Sequence, residues 1–219
     1  MSRACIASVS RLLVLAAICL PGVVAWSADE EGFTPMFNGK DFEGWTQRGG
    51  KATYRFENGE VVGVTALKTP NSFMCTDKTY GDFILELEFK VDPKMNSGVQ
   101  IRSLSDPAYK NGQVHGYQVE IDPSARSWTG GVYDEGRRGW LNDLKNNKPA
   151  QEAFKQNEWN TFRIECRGSS IKTWLNGVPA ADLTDDMTKE GFIALQVHQT
   201  KEPEPMEIRW RNIRIKTLP

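Results

Sequence analysis

The sequence predicts an all-β fold, a sandwich of two antiparallel sheets. Three observations support this class. From Phe33 onward apolar and polar residues alternate along most segments, Asn-Gly and other glycine-containing turns separate those segments, and helical periodicity is almost absent. Alternation with period two is typical of strands that bury one face in a core and expose the other to water.

The clearest strand spans residues 81–91. Its core face is apolar throughout and carries Phe83, Leu85, Leu87, Phe89 and Val91. Its other face carries Glu86, Glu88 and Lys90, which we interpret as ordinary solvated charges.

Turn residues place the other strands. Asn58-Gly59 predicts a hairpin, because glycine readily takes the positive φ that such turns require. Residues 159–166, 171–175 and 178–183 form a predicted three-strand meander with turns at 168–170 and Asn176-Gly177.

The C-terminal strand changes phase. Met206, Ile208 and Trp210 alternate in one phase, and Ile213 and Ile215 resume in the other. A β-bulge near Arg211-Asn212 would restore the inward face. Only residues 149–156 have a briefly helical pattern.

The N-terminus has the pattern of a secretory signal peptide over residues 1–27: two arginines, an apolar run and a small-residue stretch. The apolar run is too short for a membrane anchor. We therefore expect residues 28–219 to form one exported domain, periplasmic or extracellular. Cys75 and Cys166 would remain in it, either as a disulfide or as two buried free thiols, which is the commoner condition of strand cysteines.

The charge is nearly balanced, with 27 Lys plus Arg against 28 Asp plus Glu, and neither sign forms a long block. This argues against nucleic acid and membrane surfaces as partners.

Three predicted strands have an unusual face opposite the core. They span residues 97–102, 117–122 and 191–198, and their outward side chains include Gln100, Arg102, Gln118, Glu120, Asp122, Gln196 and His198. If the strands share a sheet, these amides, carboxylates, guanidinium and imidazole form a patch that can bind sugar hydroxyls. The alternative is that any exposed sheet face is polar. Aromatic residues in nearby glycine-rich segments could stack on sugar faces: Trp45, Trp128, Tyr133 and Trp140.

Familiar hydrolytic motifs are absent. Glu120-Ile121-Asp122 resembles half of the two-carboxylate motif of laminarinase-type glycosidases, but Ala125 stands where the second glutamate would be. With two histidines and no Gly-x-Ser-x-Gly elbow, a serine triad has little support. A divalent metal could be held by His198 with Glu120 or Asp122.

Several motifs in one order resemble the 3-keto-disaccharide hydrolase family. They are Phe37-Asn38-Gly39-Lys40-Asp41 with Gly44-Trp45, and the segments 80–83, 96–99, 116–122, 158–160, 174–177, 195–198 and 211–215. The resemblance covers essentially all of residues 28–219. It implies a concanavalin-like jelly roll that acts on glycosides whose sugar is oxidised at C3. A C3 ketone acidifies the C2 proton, so that a base can start an elimination that water later completes.

On this resemblance, Glu120 would be the base or a metal ligand, Arg102 the oxyanion stabiliser, and His198 an acid, a base or a ligand. The residues expected to orient hydroxyls are Gln100, Gln118, Asp122 and Gln196, and those expected at the cavity edge are Trp45, Tyr133, Arg138 and Trp140. The family commonly has an acidic residue between the Gln and His of its 195–198 motif, where this chain has Val197. The rival hypotheses are a non-catalytic carbohydrate-binding module and, more remotely, a structural partner domain.

Overall fold

The computed structural model describes Met1 and residues 32–219, and the expected signal peptide lies outside these residues. The described chain forms two antiparallel sheets, as predicted. Sheet A has eight strands: β1 (Thr34–Pro35), β3 (Thr53–Glu57), β4 (Glu60–Val64), β6 (Phe83–Val91), β11 (Asn160–Arg167), β12 (Ser170–Leu175), β13 (Val178–Thr184) and β15 (Glu207–Thr217). Sheet B has seven strands: β2 (Trp45–Gly49), β5 (Ser72–Thr76), β7 (Ser97–Leu104), β8 (His115–Ile121), β9 (Val132–Glu135), β10 (Gly139–Asn142) and β14 (Phe192–Val197).

The strand order is β13-β12-β11-β6-β15-β4-β3 in sheet A, with β1 beside β15, and β10-β9-β8-β7-β14-β5-β2 in sheet B. Among the described residues, the one α-helix, α1 (Lys148–Ala153), overlaps the segment 149–156 that the sequence marked as helical. The Asn58-Gly59 hairpin and the β11-β12-β13 meander are confirmed. The predicted bulge in β15 is confirmed by a register shift between Arg211 and Arg214.

The core lies between the sheets. All five apolar side chains on the predicted inner face of β6 belong to it. The opposite face of β6 differs from the expectation at Glu86, which is 2% exposed and is paired with Arg163 and Arg214 from the two neighbouring strands. Two arginines on adjacent strands cover the carboxylate, so it is an ion-paired group and not a solvated one.

Cys75 and Cys166 are both buried and free, which is the second of the two expected conditions. Cys166 lies in the core between the sheets, whereas Cys75 lies in a small apolar cluster on the outer face of sheet B. Burial raises the pKa of each thiol to about 12. Among the described residues, no helix has the length and apolarity needed to cross a membrane.

Candidate functional site

The three strands with the unusual face are neighbours in sheet B, in the order β8-β7-β14. Their inward residues belong to the main core. Gln118 pairs in register with Gln100, and Gln100 pairs with Ala194. Side chains of one phase therefore collect on the outer face of the sheet, as the sequence pattern predicts.

A cavity of about 510 Å³ opens on this face. Its lining residues are polar or aromatic: Asn71, Asn96, Gln118, Glu120, Arg126, Tyr133, Glu135, Trp140 and His198. The volume lies within the range of roughly 300–1,000 Å³ that is usual for small-molecule sites. Five of the lining residues, Gln118, Glu120, Tyr133, Trp140 and His198, are among those that the sequence predicts.

A chain of buried amides holds Glu120. The Gln118 carbonyl oxygen accepts hydrogen bonds from the Gln100 amide at 2.8 Å and from the Gln196 amide at 2.7 Å. The Gln118 amide nitrogen is thereby turned toward Glu120, to which it donates at 2.8 Å. Gln100 and Gln196 are fully buried, so they contribute to the site by orienting Gln118. The Asn96 amide donates to the other Glu120 oxygen at 2.6 Å.

Glycine at position 98 makes room for this chain. Gly98 pairs with Glu120 on β8 and with Gln196 on β14. A Cβ atom on Gly98 would lie 2.6 Å from the Gln118 Cγ and Cδ atoms. The absent side chain therefore lets Gln118 lie across β7 and reach both of its amide donors.

Burial raises the pKa of Glu120 to about 7. Desolvation is the largest cause, because removal from water disfavours the charged carboxylate. The two amide donors oppose the rise by stabilising the charge, the Asp122 carboxylate adds to it, and the Arg126 guanidinium opposes it. A carboxylate with this pKa can accept a proton near neutral pH far better than an ordinary glutamate can.

An aromatic and cationic wall stands beside Glu120. The Trp140 ring lies edge-on to Tyr133 at a centroid distance of 5.3 Å and edge-on to Trp128 at 4.9 Å. The Arg126 guanidinium carbon is 4.6 Å from the Trp128 ring centroid and 5.1 Å from that of Trp140. Its Nε donates to Asp122 at 2.7 Å, which leaves its two terminal nitrogens without a hydrogen bond to the described residues.

Asp122 differs from its expected role. Its carboxylate accepts from the backbone nitrogens of Ser124 and Trp128 and from Arg126. The residue is 3% exposed and does not line the cavity. Asp122 thus fixes the loop that presents Arg126, and its oxygens are occupied before any sugar arrives.

His198 and Glu135 line another part of the cavity. The Gln199 carbonyl oxygen lies 2.8 Å from His198 Nδ1 and can only accept, so Nδ1 carries the hydrogen. In the neutral imidazole, Nε2 then holds the free lone pair. Asn71 accepts from the Gln199 backbone nitrogen at 2.9 Å and donates to Glu135 at 3.2 Å. The bond to Glu135 crosses the face of sheet B, since three strands separate β9 from β5.

Three predicted site residues lie elsewhere, and Arg102 is the most consequential. Its φ is 46°, and the register of β7 against β8 shifts between Ile101 and Leu104. The bulge takes the side chain out of the phase of Gln100. Its guanidinium is buried and bonds to the Gly81 and Gly168 carbonyls and to the Asp82 carboxylate at 2.8 Å. The prediction that Arg102 lies in the site is therefore wrong.

Trp45 and Arg138 are also outside the cavity. Trp45 is 8% exposed, stacks on Phe37 at 4.1 Å and donates to the Met36 carbonyl, so it belongs to the core. Arg138 forms ion pairs with Asp134 and Asp185. Those two carboxylates occupy the guanidinium and hold it away from the cavity.

Sequence reasoning missed four lining residues. Glu135 is in phase with Tyr133 on β9, and that phase could have identified it. Asn96 immediately precedes β7, and Arg126 follows the Glu-x-Asp segment within four residues of Asp122. Asn71 reaches the cavity through a tertiary contact that no local pattern indicates.

The predicted metal site has too few ligand side chains close together in the described part of the chain. Within residues 32–219, no group of three or more His, Cys, Asp or Glu side chains is arranged to hold a metal ion. Glu120 is bonded to two amides and Asp122 to its own loop, so the expected ligands are engaged by other groups.

Comparisons place the chain in a known family and fold. No protein with a curated description matches the chain. A proposed glycosyl hydrolase from Parabacteroides distasonis is 20% identical with a TM-score of 0.60, over 86% of this chain and 95% of that one. Carbohydrate-binding module CBM66 from Bacillus subtilis is 18% identical with a TM-score of 0.59, over 80% and 96%. A Bacillus subtilis protein of unknown function with a galectin-like fold is 12% identical with a TM-score of 0.59, over 80% and 90%.

These likenesses confirm the jelly-roll sandwich. Residues 32–216 match the 3-keto-alpha-glucoside-1,2-lyase-like domain, which is nearly the whole described chain. The chain belongs to the 3-keto-alpha-glucoside-1,2-lyase-like family.

Proposed function

We propose that the protein cleaves 3-keto-glycosides, with Glu120 as the base that removes the C2 proton. The observation that carries this proposal is the buried Glu120 carboxylate in the cavity wall, aimed by two amide donors and with a pKa raised to about 7. The family description, a 1,2-lyase acting on 3-keto-alpha-glucosides, supports an elimination across C1 and C2.

The chemistry suits a single well-placed base. The C3 ketone makes the C2 proton acidic, and its removal places negative charge on the C3 oxygen. Loss of the aglycone from C1 then leaves an unsaturated keto sugar, and water adds to it to give the free 3-keto sugar. No pair of carboxylates of the kind that glycosidases place across the scissile bond is required.

Arg126 takes the role that Arg102 cannot fill. Its unbonded terminal nitrogens can stabilise the developing C3 oxyanion, and its Nε bond to Asp122 holds it in place beforehand. Tyr133 and Trp140 offer ring faces or edges to the sugar, and His198 Nε2 can accept a hydrogen bond from a sugar hydroxyl.

A second function, carbohydrate binding without catalysis, is favoured by the aromatic wall and by the fold shared with CBM66. Such a module would bind unoxidised glycans and would not need a carboxylate with a raised pKa.

Incubation of the purified protein with 3-keto-trehalose, 3-keto-lactose and their unoxidised parents tests both functions. We expect cleavage of at least one keto sugar, neither parent to be cleaved, and loss of at least about 100-fold in rate in Glu120→Gln. Glu204→Gln, which alters an exposed residue away from the cavity, serves as the matched control. Binding of the parents without turnover of any keto sugar would favour the module. A parallel incubation with chelator tests metal dependence.

We also propose that the protein acts outside the cytoplasm, after removal of residues 1–27. The proposal is supported by the charged, apolar and small-residue segments of the N-terminus. N-terminal sequencing of the protein from fractionated cells tests it, and an intact N-terminus in the cytosolic fraction would contradict it.

A further inference from the structure

The cavity holds a second carboxyl group, Glu135, which has no part in the removal of the C2 proton by Glu120. Glu135 ends β9 and shares its phase with Tyr133. One of its oxygens accepts a hydrogen bond from Asn71 at 3.2 Å, and the other has no partner among the described residues. A half-buried carboxyl with one free oxygen in a cavity is available to a ligand.

Register places the two carboxyls on opposite sides of Tyr133. Tyr133 pairs with Gln118, and β8 and β9 are antiparallel. Glu120 lies two residues after Gln118 on β8, and Glu135 lies two residues after Tyr133 on β9. Because the strands run in opposite directions, the two carboxyls lie on opposite sides of the Gln118–Tyr133 pair. Burial is the largest cause of the raised pKa of Tyr133, and the charges of both carboxyls add to the rise, which agrees with this placement. A sugar ring resting on Tyr133 would therefore have a carboxyl beyond each of two edges.

We infer that Glu135 is the proton donor to the leaving oxygen in the elimination, a role that rests on the proposed function. Glu120 takes the C2 proton, and the electron pair of the C2–H bond is held as the enolate with its charge on the C3 oxygen. When the C3 carbonyl re-forms, that pair becomes the C1–C2 double bond and the C1–O bond breaks. The departing oxygen takes the proton of Glu135, so that the aglycone leaves as a neutral alcohol.

Hydration restores both groups. Water adds to C1 and gives a proton to the Glu135 carboxylate, while Glu120 returns its proton to C2. The sum is a 3-keto-glycoside plus water giving a 3-keto sugar plus an alcohol. No oxidant, reductant or further reactant enters the balance.

Two other groups in the cavity suit this role less well. His198 uses its Nδ1 hydrogen in the bond to Gln199, so its neutral ring offers Nε2 only as an acceptor. The pKa of the Tyr133 phenol is raised above its usual value near 10, which makes it a poor acid. Burial also raises the pKa of Glu135, which favours the protonated form that a donor needs.

Leaving-group dependence tests the role. The probes are methyl and p-nitrophenyl 3-keto-glucosides, in both anomers, with wild type, Glu135→Gln and the Glu204→Gln control. p-Nitrophenolate leaves without protonation, whereas methoxide does not. We expect Glu135→Gln to lose at least about 100-fold in kcat/KM on the methyl glucoside and less than about tenfold on the p-nitrophenyl one. The ratio of the two values is independent of how much variant is folded.

Each outcome decides the matter. A change in that ratio of at least about tenfold, with no change in the control, supports Glu135 as the donor. A smaller change in the ratio would overturn the donor role of Glu135. A wild type that cleaves only the p-nitrophenyl substrate would overturn it too. Either result leaves the base role of Glu120 intact. A wild type that cleaves neither substrate would refute the proposed function itself.

Discussion

Replacing Glu120 by glutamine should make the protein more stable at alkaline pH. The folded-state pKa of Glu120 is about 7 against an ordinary value of 4.5. The folded protein thus retains a proton that the unfolded chain releases between these pH values. The free energy of unfolding therefore falls as pH rises from about 4.5 to about 7, because the folded state binds more protons there.

The size of this loss follows from the shift. Each pKa unit corresponds to about 1.4 kcal/mol, so the ionised carboxylate costs up to about 3 kcal/mol above pH 7. Glutamine removes that cost because it does not ionise. It can keep both hydrogen bonds, since the Asn96 amide has no other described partner and can rotate to present its oxygen. Gln118 need not move.

Denaturant unfolding at pH 5 and pH 8 measures the effect. We expect Glu120→Gln to match wild type within about 1 kcal/mol at pH 5 and to exceed it by up to about 3 kcal/mol at pH 8. An equal difference at both pH values would refute the buried, raised-pKa carboxylate. In the same variant activity should be lost. On the p-nitrophenyl 3-keto-glucoside, whose leaving group needs no proton from Glu135, the wild-type kcat/KM should rise with pH through a pKa near 7. A flat profile from pH 5 to 8 would refute the base role.

Three further predictions follow from the packing. Arg102→Met should lower the free energy of unfolding by about 3 kcal/mol, as measured by denaturant unfolding, because it removes a buried guanidinium that pairs with the partly exposed Asp82 and donates to two backbone carbonyls. Gly98→Ala should lower kcat/KM by about tenfold or more, because the new Cβ displaces the Gln118 amide that holds the base. Cys75 and Cys166 should react with a thiol reagent only after unfolding, because both thiols are buried and protonated.

Each of these has a contrary result. An Arg102→Met protein as stable as wild type would show that the ion pair contributes little. Gly81→Ala is the control for Gly98→Ala, since a Cβ there meets only the Lys189 carbonyl at 3.7 Å, and equal activities in the two variants would contradict the steric argument. Reaction of the thiol reagent with the native protein would contradict the burial of the two thiols.

The sequence by itself determined the fold class and the polar face. Alternation with period two assigns each side chain to one side of a strand, so the inward faces of β6, β7, β8 and β14 were predictable. The same phase identified Gln100, Gln118, Glu120 and Gln196 as one set. Turn residues and the phase break in β15 fixed the hairpins and the bulge.

Only the tertiary structure decided which of those side chains meet in the cavity. Arg102 was misplaced because a bulge in β7 reverses phase. The predicted strand ended at Arg102, before Leu104 resumes the apolar pattern in the other phase. Trp45 and Arg138 were misplaced because an aromatic ring or a charge pairs with whatever the fold brings near it. Arg126 and Asn71 were missed because both lie in loops, and periodicity says nothing about residues outside strands. Arg126 is held by Asp122, four residues earlier, and Asn71 by the distant Glu135.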